Sequence, residues 1–242
     1  MHNNNLLLSS TIQEIRKFLY SRNFFEKHLY GFSGKITGTF PISTDKGVLR
    51  VSPEPDVWIV PKDISQFFFL GSLFRNEEVD DQHYYEFTTA DLYIRGGNAG
   101  RLIQLFWELI QTLTECALIS DISKLEVSAV SFNAFSQSKI VSENETEKWV
   151  LVTHYPIEDS FYDAMLDQNV TQKSELFYLI PGHPPVELAS LGRVGKNQNP
   201  NIKSDNPNLE LEQYISEEIF GFCFGIERLL LVSQLHRGES HD

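Results

Sequence analysis

Residues 66–94 read QFFFLGSLFRNEEVDDQHYYEFTTADLYI, and this stretch decides the predicted fold. Residues 66–75 form an almost continuous apolar run that is typical of a buried strand. A polar segment from Glu77 to Gln82 predicts a loop, and residues 86–94 predict a second strand. Strand, loop and strand in this order predict an antiparallel hairpin with a long tip.

Elements of the same kinds are predicted on either side of this hairpin. Residues 10–20 and 98–118 have apolar side chains at helical spacing, and the second helix carries a stripe that consists of Leu102, Leu105, Phe106, Leu109, Leu113 and Ala117. Residues 48–60 are predicted to be extended, because Pro53 and Pro55 oppose a helix. Further strands are predicted at 124–132, 149–154, 175–180, 185–190 and 221–225, further helices at 210–220 and 226–234, and a loop at 191–208. Hairpin-connected strands with a few helices favour an α+β fold, with an antiparallel sheet flanked by helices, in a single domain over residues 1–242.

Composition limits the class of protein and its partners. The 242 residues are 41% hydrophobic and carry a formal net charge of −13. Binding to a phosphate backbone depends on clustered Lys and Arg, so this charge makes a bare tRNA-binding surface less expected. Cys116 and Cys223 lie far apart without metal-ligand spacing, which indicates a reducing compartment and no structural zinc. Residues 1–8 lack the pattern of a signal peptide, and no apolar run approaches the ~18 residues of a transmembrane helix, so we expect a cytoplasmic protein without membrane contact.

The predicted hairpin carries the first candidate site. Arg75 stands at the end of a strand, where a guanidinium can hold a phosphate through two parallel hydrogen bonds. A nearby phenylalanine offers a face on which a purine can stack. The alternative is a surface hairpin with an ordinary Arg–Glu ion pair, which is common and contributes little.

Two further segments carry candidate chemistry. In residues 221–229, GFCFGIERL, glycines alternate with apolar residues on a strand and leave room for a ligand on the sheet. Arg228 follows in the first turn of a helix, where it can reach a terminal phosphate. Glu175 and Glu187 lie on paired strands, where two carboxylates that face one cleft can hold Mg²⁺ between phosphate oxygens. The alternatives are a core strand whose glycines permit close packing, and two half-exposed glutamates on an edge hairpin.

In this order, the three segments resemble class II aminoacyl-tRNA synthetases, and they do so over most of the chain. Residues 74–77 together with 83–88 are similar to motif 2 of that family, and residues 221–229 are similar to motif 3. Residues 149–156 and 186–190 resemble two strands of its lysyl, aspartyl and asparaginyl subgroup. The nearest pattern is that of the lysyl-type branch, which includes compact enzymes that modify elongation factor P.

The resemblance implies a role toward ATP for five residues. Arg75 would bind the α-phosphate, and Arg75 and Arg228 would be the catalytic residues. Glu77 would accept a hydrogen bond from the adenine amino group, with His83 nearby. Phe87 would stack on adenine, with Arg228 on the other face and near the γ-phosphate.

The resemblance also implies a metal pair and an amino-acid pocket. Glu175 and Glu187 would hold Mg²⁺, which places Glu187 in the ATP site as well. Asp91, Tyr93 and Ser190 would line the pocket for the amino acid, with Asp91 as the candidate partner of a substrate ammonium group.

Two segments depart from the family pattern. Residues 24–29, FFEKHL, have no proline where motif 1 carries a Thr-Pro pair, and motif 1 builds the dimer interface, so a homodimer is an open option. The connection between Glu175 and Glu187 is longer than in the lysyl pattern, which predicts a shifted register for the pair. We also expect no anticodon-binding domain.

The residues and the resemblance together predict an ATP-dependent ligase that forms an aminoacyl-adenylate. The carboxylate of an amino acid or related acid would attack the α-phosphorus, with rate arising mainly from positioning and charge stabilisation. We expect transfer to a protein lysine, a carrier protein or a small amine rather than to tRNA. Two alternatives stay open: a non-catalytic paralogue that senses an amino acid or nucleotide or regulates a partner, and a minimal tRNA-charging enzyme.

Overall fold

The computed structural model describes residues 2–33, 40–122, 125–137, 146–160, 163–164, 166, 169–194 and 218–238. Its helices are α1 (His2–Ser21), α2 (Ala99–Glu115), α3 (Phe132–Gln137) and α4 (Ile226–His236), with 3₁₀ helices at Glu54–Ile59 and Ile157–Asp159. Its strands are β1 (Phe25–Glu26), β2 (Phe32–Ser33), β3 (Ser43–Thr44), β4 (Gly47–Leu49), β5 (Gln66–Phe74), β6 (Glu86–Arg95), β7 (Val127–Ser131), β8 (Lys148–Thr153), β9 (Ser174–Leu179), β10 (Val186–Val194) and β11 (Ile219–Gly225). None of the helices in these ranges is long and apolar enough to cross a membrane.

One eight-stranded sheet organises the molecule, in the order β1-β5-β6-β11-β10-β9-β8-β7. The six strands from β5 to β8 in this order are antiparallel to their neighbours, whereas β1 and β7 pair in parallel at the two edges. A separate small sheet has the order β2-β4-β3. The predicted α+β fold is therefore confirmed, with parallel edge strands as an addition. Strand β1 lies at an edge of the large sheet and within residues 24–29, the segment compared with motif 1. A homodimer through this region stays a prediction.

Helices cover one face of the large sheet, because its strands alternate apolar side chains toward that face. Strand β6 contributes Ala90, Leu92 and Ile94 to this core, and β11 contributes Phe222 and Phe224. These side chains pack in one cluster with residues of α1, α2 and α4. Removal of this apolar surface from water is the main favourable term for the fold.

Helix α2 supplies the widest apolar stripe of this core. Asn98 precedes the helix and accepts a hydrogen bond from the backbone N–H of Arg101 at 2.9 Å, as an N-cap residue does. The predicted stripe is buried from Leu102 to Leu113. The predicted stripe is wrong at Ala117, because the helix ends two residues before it and Ala117 has a φ of 56°. This left-handed conformation is a common way to end a helix.

The other face of the sheet carries a small apolar cluster beside an open region. Phe67 and Phe69 of β5 pack there with Tyr93 of β6, and Val194 and Ile219 complete the cluster at the ends of β10 and β11. The cluster closes one end of this face. The candidate site occupies the open region next to it.

The prediction of an extended segment at residues 48–60 is wrong over its second half. Glu54–Ile59 forms a 3₁₀ helix with Pro53 at its N-cap. Proline is compatible with the first turn, because the N–H group that it lacks would have no partner inside the helix. This short helix brings Glu54 to the open face of the sheet.

The two predicted hairpins are confirmed. Strands β5 and β6 pair along their whole length, and β9 and β10 pair around a turn in which Gly182 has a φ of 79°. Glycine adopts that conformation without strain. The predicted helix at 210–220 lies mostly outside the described residues, and its last two residues belong to β11 instead. The first four residues of the predicted 191–208 loop belong to β10, and the rest of it lies outside the described residues.

Candidate active site

A single transverse row of the sheet brings candidate residues together. Glu175 of β9 pairs with Ser190 of β10. Ser190 pairs with Cys223 of β11, which pairs in turn with Asp91 of β6. Residues paired in this way project to the same face of a sheet. Neighbouring strands lie about 4.8 Å apart, so the row extends about 14 Å from Asp91 to Glu175.

This row forms the floor of a cavity of about 310 Å³. The β5–β6 hairpin, the 3₁₀ helix and the start of α4 contribute to its walls. Nine of the ten predicted site residues line it, namely Arg75, Glu77, His83, Phe87, Asp91, Glu175, Glu187, Ser190 and Arg228. The fold therefore gathers residues from segments more than 100 positions apart into one site.

Arg75 places a guanidinium group beside an aromatic ring at one end of the cavity. Its central carbon lies 5.2 Å from the centroid of the Phe87 ring, and its Nη1 lies 3.9 Å from Oε1 of Glu77. Its Nε is buried and has no hydrogen-bond partner among the described residues. A buried donor without a partner costs free energy, which an anionic ligand would recover. This end of the cavity suits a phosphate next to a purine.

Arg228 links the loop of the β5–β6 hairpin to β10. Its Nε donates a hydrogen bond to the carbonyl of Gln82, and its Nη1 donates one to the carbonyl of Glu187, both at 3.0 Å. The same Nη1 lies 3.7 Å from Oε2 of Glu187. These hydrogen bonds use two of the five N–H donors of the guanidinium, which is held in place at the cavity wall.

Two carboxylates to which the sequence analysis gave no role hold the loop and the second strand of this hairpin. Both oxygens of Glu227 accept hydrogen bonds from the backbone N–H of Thr88 at 2.9 Å. Asp80 accepts backbone N–H bonds from Gln82 and His83 and lies 2.8 Å from the ring Nδ1 of His83. The backbone donor of Gln82 and the contacts of His83 hold the pKa of Asp80 below its usual range. His83 is thereby oriented at the cavity wall.

The cavity also has an acidic part, and Asp91 is its best-defined carboxylate. Asp91 is 3% exposed, and the neighbouring side chains of Cys223 and Thr89 lower its pKa against the larger effect of burial. Its Oδ2 is buried without a hydrogen-bond partner among the described residues. Burial raises the pKa of Asp91 to about 6. A cationic group that reached Oδ2 would satisfy both its charge and its free acceptor position.

Glu54 is a functional candidate that the sequence analysis did not assign. Its Oε2 accepts a hydrogen bond from the hydroxyl of Ser52 at 2.9 Å. Burial, followed by the proximity of Asp163 and Asp91, raises its pKa to about 8. Its sequence signal was a serine followed by proline and glutamate, a pattern that starts helices and that we interpreted as extended. The site thus presents one buried carboxylate, Asp91, and one partly buried carboxylate, Glu54, toward any cationic part of a ligand.

Glu175 is already fully engaged by its neighbours. Its Oε1 lies 2.6 Å from Nζ of Lys173, and the hydroxyl of Tyr155 donates a hydrogen bond to its Oε2. Burial raises the pKa of Glu175, and the nearby carboxylate of Glu187 raises it further, against the opposing effect of Lys173. Burial lowers the pKa of Lys173, but Glu175 and Glu187 outweigh this effect and the net shift is upward. The 2.6 Å distance between Nζ of Lys173 and Oε1 of Glu175 is that of a charge-assisted hydrogen bond, so the protein itself supplies the cation beside this carboxylate.

The predicted Mg²⁺ pair does not fit this arrangement as a shared metal site. The side chain of Glu187 is 37% exposed and lies beside Arg228, while Glu175 holds an ammonium group. Mg²⁺ requires near-octahedral oxygen ligands, and an ammonium group at one of its two carboxylates opposes that geometry. Within the part of the chain that the structure describes, no group of three or more His, Cys, Asp or Glu side chains is arranged to hold an ion.

Ser190 lines the cavity, whereas Tyr93 lies beside it. Ser190 lies in the floor of the cavity, between Glu175 and Cys223. Tyr93 is fully buried and stacks on Phe67, with ring centroids 5.3 Å apart. Its hydroxyl lies 3.7 Å from Sγ of Cys223, and it is absent from the described residues that line the cavity. Tyr93 therefore lies beside the cavity on the same face of the sheet, next to Cys223, and direct substrate contact by Tyr93 stays a prediction.

The sequence matches a known family over nearly its whole length. The family model described as tRNA synthetases class II (D, K and N) matches residues 1–235. The mitochondrial lysine–tRNA ligase of Saccharomyces cerevisiae is 33% identical over 98 residues, which are 36% of this chain and 17% of that protein. The lysine–tRNA ligase of Sulfolobus acidocaldarius is 31% identical over 118 residues, which are 44% of this chain and 23% of that protein. The matched stretches thus span less than a quarter of these curated relatives.

Solved structures share the fold at low sequence identity. An asparaginyl-tRNA synthetase from Entamoeba histolytica has a TM-score of 0.74 and 16% identity, covering 99% of this chain and 66% of that chain. The asparaginyl-tRNA synthetase from Pyrococcus horikoshii complexed with asparaginyl-adenylate has a TM-score of 0.71 and 17% identity, covering 95% of this chain and 64% of that chain. The likeness at these identities concerns the fold.

Proposed function

Because the chain belongs to the class II tRNA synthetases of the D, K and N group, we propose that it activates an amino acid with ATP as an aminoacyl-adenylate. A carboxylate oxygen of the amino acid attacks the α-phosphorus of ATP. A new P–O bond forms, the bond from the α-phosphorus to the bridging oxygen breaks, and pyrophosphate leaves. The observation that carries this proposal is the lining of one cavity, which combines the unpaired N–H donor of Arg75 with the carboxylates of Glu54 and Asp91.

Arg75 and Phe87 support the ATP part of the proposal. The unpaired Nε of Arg75 is an N–H donor for the α-phosphate, and a positive charge there stabilises the negative charge that develops during attack. Phe87 offers its ring to adenine next to this guanidinium. Glu77 and His83 line the same region and would contact the base, while Arg228 would reach the terminal phosphates from the opposite wall.

Asp91 and Glu54 support the amino-acid part. The buried Oδ2 of Asp91 would accept a hydrogen bond from the substrate ammonium group, with Glu54 as a second acceptor. Asp91 and Glu54 would hold the ammonium group of the amino acid. The carboxylate group of the amino acid would then extend along the floor of the cavity toward Arg75. Ser190 would contact the bound amino acid from the floor. Reaction then depends on the holding of two substrates in line, which is the main source of rate in this chemistry.

For Mg²⁺ we propose a role as the ion that accompanies ATP. Glu187 is the carboxylate with exposure toward the cavity, whereas Glu175 is bound to Lys173. Glu187 would therefore be the residue that contacts an ATP-borne ion. No step of the activation reaction is assigned to Glu175.

ATP–pyrophosphate exchange over a panel of amino acids tests the proposal. We expect exchange with at least one amino acid, and strongly reduced exchange in Arg75→Ala and Asp91→Asn at the substrate concentrations that suffice for wild type. Arg101→Ala is the matched control, because Arg101 is a surface arginine on α2 with its Nη1 3.7 Å from Glu108. Absence of exchange with every amino acid, in protein that binds ATP by calorimetry, would refute the proposal. Amino-acid binding without ATP binding would support the non-catalytic sensor instead.

The acceptor is a separate question, and tRNA is the acceptor that the relatives favour. The two curated relatives are tRNA ligases, which gives no support to the predicted protein, carrier-protein or small-amine acceptor. The acidic net charge of −13 is the remaining argument for a non-tRNA acceptor. Incubation of enzyme, ATP and the activated amino acid with tRNA in one reaction, and with elongation factor P in another, would discriminate the two classes.

A further inference from the structure

Lys173 places an ammonium group at the end of the cavity where a divalent ion was predicted. Its Nζ lies 2.6 Å from Oε1 of Glu175 and donates a hydrogen bond to the carbonyl of Asp159 at 2.9 Å. The Nζ also lies 4.6 Å from the ring centroid of Tyr155, at the distance of a cation–π contact. The side chains of Lys173 and Glu175 are 14% and 10% exposed, so the pair is shielded from water.

Local sequence and packing explain why this ammonium lies there. Lys173 is two residues before Glu175, and residues at this spacing in extended chain project to the same side. Gly192 of β10 lets the segment approach the sheet, because a Cβ at Gly192 would lie 2.4 Å from Oδ1 of Asp163 and 3.3 Å from the Cα of Lys173. Any larger residue at 192 would push both Asp163 and Lys173 away.

The charges around this ammonium leave little place for a second cation. Glu175, Glu187 and Asp163 all interact electrostatically with Lys173. Glu175 has one oxygen on Lys173 and the other on the hydroxyl of Tyr155. A divalent ion at Glu175 would have to displace the ammonium group and then repel it at short range in a site of low dielectric constant.

We propose that Lys173 is the resident cation of the carboxylate pair, and that its ammonium group, rather than a protein-bound divalent ion, occupies Glu175. Lys173 acts through Glu175 and is a positioning residue: it neutralises this carboxylate and fixes it at the end of the row that contains Ser190 and Cys223. Its relevance to catalysis rests on the proposed adenylate formation. The exclusion of a divalent ion from Glu175 does not depend on adenylate formation.

Mn²⁺ binding to nucleotide-free protein, followed by electron paramagnetic resonance, tests the proposal with Mn²⁺ as the probe for Mg²⁺. We expect Lys173→Gln to bind Mn²⁺ on the order of tenfold more tightly than wild type, because the substitution leaves Glu175 and Glu187 without the ammonium group. The double variant Lys173→Gln/Glu175→Gln should lose this gain, which assigns it to Glu175. Lys46→Gln is the control, because Lys46 is exposed and its Nζ lies 3.5 Å from Asp45.

Gln is the first choice of substitution because its amide can still donate a hydrogen bond to the carbonyl of Asp159. Thermal unfolding checks the fold of each variant, and Lys173→Arg, which keeps the charge, should bind Mn²⁺ as weakly as wild type even where Lys173→Gln is unstable. Wild-type protein that binds Mn²⁺ as tightly as Lys173→Gln, with the affinity lost in Glu175→Gln, would overturn the proposal. Because this assay contains neither ATP nor amino acid, a failure of pyrophosphate exchange leaves its result unaffected.

Discussion

Glu54→Gln should increase the free energy of unfolding of the protein and lower its affinity for the amino acid. The Glu54 carboxylate accepts one hydrogen bond, from Ser52, and it lies near the carboxylates of Asp163 and Asp91. Glutamine keeps the shape and an oxygen for that hydrogen bond and removes the charge. The same change removes an acceptor for a substrate ammonium group, so stability and amino-acid affinity should move in opposite directions, as they do at many functional sites.

The magnitude follows from the pKa of Glu54, which is raised from 4.5 to about 8. A carboxyl group whose pKa is raised by folding binds its proton more tightly in the folded state, so stability is lost as pH rises from 4.5 through about 8. For this single group, linkage gives a loss of about 3 kcal/mol at pH 7 and about 4.5 kcal/mol at pH 8.5. Glu54 keeps partial exposure to the cavity, where water screens its charge, so we expect about 1–3 kcal/mol at pH 8.5.

Urea unfolding of wild type and variant at pH 5, 7 and 8.5 measures this effect. The free energy of unfolding of Glu54→Gln minus that of wild type should be small at pH 5 and should grow with pH. Glu78→Gln is the control, because Glu78 is exposed outside the cavity, and its difference from wild type should stay constant. A pH-independent difference for Glu54→Gln would refute the inference that folding disfavours the ionised form of Glu54.

Three further changes have defined outcomes in steady-state pyrophosphate exchange. Burial raises the pKa of Asp91 to about 6, so the KM for the amino acid should rise as pH falls through that value, and Asp91→Asn should show a high KM at every pH. Arg75→Ala should lower kcat by about 100-fold with a smaller change in the KM for ATP, because charge stabilisation at the reacting phosphate is lost; a change confined to KM would contradict that role. Phe87→Leu should weaken ATP binding by about tenfold, the scale of base–aromatic stacking, and calorimetry with ATP alone would reveal it.

The positions of Arg75, Phe87 and Arg228 in the site could be predicted from the sequence because their signals are local. A continuous apolar run fixes β5, alternation fixes β6, and Arg75 and Phe87 stand at positions that the strand period itself defines. Arg228 follows directly from the junction of a glycine-containing strand with a helix. None of these placements requires knowledge of how distant segments pack.

Other features of the site could not be predicted in the same way, because they depend on how distant segments pack. Glu54 reaches the cavity on a 3₁₀ helix, whereas the two prolines of this segment predicted an extended chain. Tyr93 has the correct strand phase for the cavity, but Phe67 and the neighbouring cluster bury it beside the cavity. Lys173 has no motif of its own, and its role depends on the distance to Glu175.

The register of the β9–β10 hairpin explains how Glu187 and Ser190 both reach the cavity. Val186 pairs with Tyr178 and Glu187 with Phe177, so the pairing is regular next to the turn. A β-bulge between Glu187 and Ala189 then shifts the pairing by one residue. Because side chains alternate along a strand, Glu187 and Ser190, three positions apart, would face opposite sides without this bulge. This single-residue bulge lets both Glu187 and Ser190 line the cavity, whereas a shift of the pair relative to the lysyl pattern stays a prediction.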